Sequence, residues 1–212
     1  MSSKSPILLA LGALLVCSAL GACKKNESKT TVPGSWRNPE HSDQTFSSFF
    51  VIGIGRNDAR RRLYENRMVQ ALERHGAKAQ ASWSVFPDSE ELNKEDVLAV
   101  VANGGFDGVI LTQVLGVDQQ HQYVEGRTTY VPTSNVDLYM PDYDQKYDVV
   151  REPGYYETKT TFNVETVLYT ADEGTKIWWA LSETVNPDTV EEIIESVANA
   201  AADRMKADGL IQ

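Results

Sequence analysis

Between residues 106 and 118 apolar side chains occupy both sides of an extended chain: Val109, Leu111, Leu115 and Val117 on one, Ile110, Thr112 and Val114 on the other. Side chains alternate across a strand, so this strand has no face to give to water. It must lie in the middle of a sheet, with cover above and below. That demand excludes an all-helical fold, and the neighbouring sequence meets it. Phe49-Phe50-Val51-Ile52-Gly53-Ile54 is a continuous apolar run with β-branched members and reads as a buried strand. Asn57-Asp58 can cap a helix on which Tyr64, Met68, Ala71, Leu72 and His75 form one stripe, and Gly76 ends it. Arg60-Arg61-Arg62 falls in the early turns of this helix and reads as solvent-facing.

Residues 77–85 predict a second strand, Pro87-Asp88-Ser89 a turn, and 94–103 a helix with Val97, Leu98 and Val101 inward, stopped by Gly104-Gly105. Further on, 158–170 alternates, with Phe162, Val164 and Leu168 against Asn163, Glu165 and Tyr169. Asp172-Glu173-Gly174 turns it back into 176–184, a β-hairpin. A last helix follows Asn186-Pro187-Asp188, with Val190, Ile193, Ile194, Val197 and Ala201 inward. Acids lead that helix and Arg204 and Lys206 trail it, which suits the macrodipole. The order β-α-β-α-β-β-β-α predicts an α/β fold: one mixed sheet of about five strands, parallel in its first half, with three helices packed on it. A single domain spans 46–212.

The N-terminus is of another kind. Residues 7–19 are apolar, preceded only by Lys4, and the run of roughly a dozen residues is shorter than the about 20 that a spanning helix needs. Small residues follow, in Leu20-Gly21-Ala22-Cys23. This arrangement resembles the lipobox of bacterial lipoproteins. The resemblance implies a signal peptide over 1–22, cleavage before Cys23, a thioether-linked diacylglycerol on Cys23 and a third acyl chain on the new amino group. Lys24 is not the Asp associated with inner-membrane retention, which implies the outer membrane, with the domain facing the periplasm. Residues 23–45, rich in Lys, Ser, Thr, Asn, Pro and Gly, are expected to form a flexible lipidated tether, with Trp36 docking back on the domain.

Cleavage would remove Cys17 and leave only Cys23, so no intramolecular disulfide is expected. The whole chain carries a formal charge of −10, and loss of Lys4 takes the mature form to −11. Such an acidic domain offers no footprint for nucleic acid. No cofactor motif stands out. Gly53-Ile54-Gly55 lacks the third glycine of a dinucleotide fingerprint, where Asp58 stands instead. There is no G-x-S-x-G and no H-E-x-x-H. His121 and Glu125 are too few for a metal site, and Asp142, Asp144 and Asp148 lack the glycine of a calcium loop. Arg61 and Glu65, four apart, read as an ion pair on the helix surface, with a general acid or base role as the alternative.

Residues 121–157 form the long insertion of the domain. They hold seven of the nine tyrosines: Tyr123, Tyr130, Tyr139, Tyr143, Tyr147, Tyr155 and Tyr156. Tyrosine gives contact area with a hydroxyl at low entropic cost, so these seven are the candidate binding residues. The competing reading is a flap packed on its own sheet, or an irregular extension of the flanking strands.

A second resemblance runs through Arg60, Glu65, Leu72-Glu73-Arg74-His75-Gly76-Ala77, Ser82, Phe106-Asp107-Gly108-Val109 and the 166–184 hairpin with Trp178-Trp179. These residues resemble small bacterial envelope lipoproteins of unknown function. More distantly they resemble the group of the curli-secretion lipoprotein, the Tol N-terminal domain and the lipoprotein activators of peptidoglycan synthases. The resemblance implies an α/β sandwich, no catalysis, no cofactor and a partner among envelope proteins. The long hairpins of a curli-type pore are not legible. Two other functions stand beside this one: an enzyme of envelope polymers using carboxylates, and a passive structural lipoprotein.

Overall fold

The computed structural model describes residues 30–132 and 147–211. The predicted signal peptide, Cys23, and Tyr139, Tyr143, Asp142 and Asp144 lie outside the described residues.

The predicted βαβαβ half is present. β2 (Ser48–Ile54) leads into α1 (Asp58–Arg74), then β3 (Lys78–Ala81), α2 (Lys94–Gly104) and β4 (Gly108–Val124). β2 pairs in parallel with both β3 and β4. The predicted hairpin is β7 (Tyr155–Thr170) and β8 (Lys176–Val185), antiparallel to each other, with β7 antiparallel to β4. α3 (Val190–Ala207) closes the chain. Side-chain caps start all three helices: Asn57, Asn93 and Thr189 each accept a backbone N–H from three residues on.

In the main sheet one strand departs from the expected set. Thr30–Arg37, inside the expected tether, is β1, and it pairs antiparallel with β8. The main sheet is therefore six-stranded, β1-β8-β7-β4-β2-β3. Pro33 and Gly34 argue against a strand, but the register shifts between Thr31 and Gly34. A bulge on an edge strand is where the missing donor of proline is tolerated. β1 is held by more than its ladder. Thr30 donates to Ser196 of α3 at 2.6 Å, Ser35 to Asp208 at 3.2 Å, and Arg37 to the Asp208 carbonyl and to the Gln44 carbonyl. Of the expected tether, the part ahead of Thr30 lies outside the described residues.

The main core lies between one sheet face and the pair α1, α3. Phe49, Val51, Ile110, Leu168 and Trp178 meet Met68, Leu72, Val197, Ala201 and Met205 there, nearly all without solvent contact. The Trp178 indole N–H donates to Asp208 at 2.8 Å, so the largest core side chain is also satisfied. The opposite face carries a smaller core, Phe50, Ile52, Phe86 and Val101, under α2. Cover on both faces of β2 and β4 is what the apolar pattern required. It ends early, however. A bulge falls between Val114 and Gly116, and Val114, Leu115 and Val117 are exposed.

Candidate functional site

β4 and β7 do not stop where the sheet stops. β2 pairs β4 only as far as Gln113, and β8 pairs β7 only from Thr161 onward. Beyond those points β4 and β7 continue as a two-stranded ribbon to the pair Val124↔Tyr155. A second ribbon follows at once, β5 (Arg127–Pro132) antiparallel to β6 (Tyr147–Glu152). The described part of the insertion is thus regular strand rather than an irregular stretch. Its polar alternation hid the pattern, because a ribbon exposed on both faces has no apolar side to reveal its period.

The joint between the ribbons is tight. Side-chain atoms added to Gly126 would collide with the backbone of Glu152 and Gly154, and atoms added to Gly154 with the Tyr123 ring and the Val124 carbonyl. Glycine is required here for close approach of two chains. Tyr123 and Tyr156 pack against each other across the first ribbon, ring centroids 5.1 Å apart and tilted by 56°. His121 bonds Thr158 across the same ribbon at 3.1 Å. Tyr130, Tyr147 and Tyr155 also lie on the ribbons, so five of the seven candidate tyrosines fall on one extended element. Tyr130 is 65% exposed and Tyr156 75%. Val131, Val149 and Val150 are exposed beside them. Two-stranded ribbons are at best marginal in water, and unpaired edges are sites of further pairing.

The Arg61–Glu65 pair differs from the expected surface ion pair. Both side chains are fully buried, with the nearest charged atoms 4.0 Å apart. Glu65 Oε1 accepts from the Gly53 amide at 2.9 Å and the Ser82 hydroxyl at 2.7 Å, and Oε2 from the Trp83 amide at 2.8 Å. The carboxylate thereby ties β2 and the turn after β3 to α1. Three donors from the fold thus engage both of its oxygens. Arg61 donates to the carbonyls of Phe86 at 2.6 Å and Pro87 at 3.0 Å, and Arg62 to Pro87 at 2.6 Å. Of the triple-arginine run, Arg61 and Arg62 therefore clamp a loop; Arg61 is buried, against the solvent-facing reading, while Arg60 and Arg62 are exposed as expected. Helical periodicity had placed Glu65 at the edge of the stripe, and only the three donors brought to it show why an acid is there. At the start of the same helix, a hydrogen bond from the Ser89 side chain holds the Asp58 carboxyl below its usual range, aided by the Ser89 amide and Arg61.

Two apolar cavities flank the end of β2. One, about 780 Å³, lies under α2 and includes Ile54, Leu98, Leu111 and Tyr169, with Arg56, Lys94 and Glu90 around it. The other, about 530 Å³, lies between α1, α3 and the root of the ribbon, against Tyr64, Val114, Val117 and Ile193. The first meets one carboxylate and the second none. Tyr64 is buried at the inner wall of the second. It donates to Thr112 at 2.6 Å, which contacts Thr166 at 3.2 Å, and burial pushes its phenol up to about 12. Among the described residues no three His, Cys, Asp or Glu side chains gather as a metal site would need. His121 lies on β4, and Glu125 just past its end.

No protein-family model matches the chain. No curated protein matches it in sequence. Solved structures similar to it include the PelC dodecamer from Paraburkholderia phytofirmans, at 12% identity and TM-score 0.45, covering 86% of this chain and 99% of that one. Lipoprotein GNA1162 from Neisseria meningitidis is similar at 11% identity and TM-score 0.42, covering 76% of this chain and 99% of that one. Among the described residues no helix is long and apolar enough to cross a membrane, which bears on helices alone.

Proposed function

We propose that this chain is a lipid-anchored, non-catalytic accessory protein of the bacterial envelope, facing the periplasm from the outer membrane, and that it engages an envelope protein through its projecting ribbon. The observation that carries the proposal is the ribbon itself. It sets five tyrosines and three valines in water on an element with open edges, a combination that is costly unless something covers it. Cys23 at the end of its small-residue run supports the anchor. The three fold donors that engage Glu65 and the scarcity of carboxylates at the cavities weigh against the carboxylate enzyme.

The test removes the ribbon without touching the sheet. Asp118 and Thr161 face each other in register, so residues 119–160 can be replaced by a two-residue Asn-Gly turn. The mature protein should enrich a discrete partner from envelope extract, and the shortened form should not. Equal enrichment by both would sink the ribbon as the contact. The anchor is checked separately, by uptake of labelled fatty acid that Cys23→Ala abolishes.

A further inference from the structure

Thr30 stands at the end of the sheet from which the ribbon leaves. Thr30 pairs with Thr184, Thr184 with Phe162, and Phe162 with Val117, so the four stand in one row across the sheet. That row is the last that β1 shares; one more, Val185–Thr161–Asp118, follows before β4 and β7 leave the sheet as the ribbon. The chain therefore enters the fold at the same end from which the ribbon departs, and β1 runs away from it.

Taking Cys23 as the lipid anchor, seven residue steps separate it from Thr30. At about 3.6 Å per residue the leash spans at most ~25 Å. From Phe162 to the ribbon joint at Tyr155 is seven steps of β7, ~23 Å at about 3.3 Å each. Leash and first ribbon are thus matched in length, so a fully extended leash sets the joint at the lipid, and in this pose β5 and β6, five steps or ~16 Å beyond it, lie along the interface. The inverted pose, ribbon away from the bilayer, would put the body between Thr30 and the lipid. β1 alone, Thr30–Arg37, is seven steps long, again ~23 Å. The leash would be exhausted in running back along it, with nothing left for the layers packed around the strand.

We infer that the ribbon points at the anchoring bilayer and that its distal part, residues 123–132 and 147–156, rests at the lipid–water interface. Its chemistry fits. Tyrosine is a residue of the membrane interface, with an apolar ring and a hydroxyl for the headgroup layer. Eight of the fifteen large apolar side chains exposed among the described residues lie on these two segments. Charge does not single out this end: the two segments carry −1 over 20 residues, from Arg127 and Arg151 against Glu125, Asp148 and Glu152, and the whole chain −10 over 212. The inference rests on the anchor proposed above, and it narrows the protein partner to one met at the membrane surface.

The acylated mature protein, reconstituted into phosphatidylcholine vesicles, is compared by hydrogen exchange with residues 24–212 produced without the anchor. Flotation with the vesicles is scored first. A protein that does not float, and whose first residue carries an unmodified thiol, removes the anchor and this inference together. When it floats, amides of 123–132 and 147–156 should exchange roughly tenfold more slowly than in the soluble form, while the turn at 171–175 and the C-terminal end of α3, at the opposite end of the sheet, keep their rates. Floating protein with unchanged ribbon rates, or with slowing confined to 171–175 and the C-terminal end of α3, overturns the orientation and leaves the anchor standing. Protection that needs added envelope protein, and is missing on lipid alone, overturns the lipid contact in favour of a protein.

Discussion

Glu65→Ala should be the most damaging single truncation of a polar side chain in this protein. The carboxylate accepts from Gly53, Ser82 and Trp83 in a region where Glu65, Ser82 and Arg61 have almost no solvent contact. Alanine leaves two backbone amides and a hydroxyl without that acceptor. The hydroxyl can rotate to a new partner, but the amides cannot. Each stranded donor costs about 1–3 kcal/mol, and the Arg61 guanidinium loses its buried counter-charge. Loss of one member of a buried pair costs about 3–5 kcal/mol, and the two routes agree on roughly 3–5. Glu65→Gln should be milder, about 1–3 kcal/mol, because one oxygen still serves two donors while the new NH₂ faces the third. Urea unfolding followed by tryptophan fluorescence gives both values, best at low temperature, since a domain of this size holds only about 5–15 kcal/mol in total. A loss under about 1 kcal/mol for Glu65→Ala, with unchanged m, would refute the latch. It would mean that water or a shifted backbone satisfies these donors.

Two further outcomes follow from the fold. A chain beginning at Ser42 lacks β1 and should lose several kcal/mol, about the scale of an exposed core edge and its side-chain ties, whereas a chain beginning at Thr30 should unfold at the same urea midpoint as the mature protein; equal midpoints for all three would restore the long tether. Tyr64 has its phenol raised to about 12 by burial, so the fold favours the neutral form; that contribution is whole below the unfolded phenol value near 10 and is lost as pH rises toward 12. Tyr64→Phe should accordingly flatten the loss of stability above pH 10, and an unaltered alkaline limb would disprove the assignment.

Most of the sheet was legible because half-buried elements carry their period in their apolar residues. β2, α1, β4, the β7–β8 hairpin and α3 each bury a defined side, and each was read with its type and approximate bounds. The misses share one cause. β1 and the ribbons are edge or doubly exposed strands, whose register is set by their neighbours and not by their own pattern. Pro33-Gly34 and Pro153-Gly154 read as breaks in the sequence, yet one pair sits at an edge bulge and the other at the joint where two ribbons meet. The five described tyrosines of the candidate site lie on strands, where the sequence reads a long connection.

The chain by itself determined the layered α/β plan, the place of its central strand and the small-residue run ending at Cys23, because burial and local chemistry act on residues close in sequence. Tertiary structure alone decided that Glu65 serves three donors from two other segments, and that Thr30 enters beside the root of the ribbon. Both depend on contacts between residues far apart in the chain, whose partners no local pattern names.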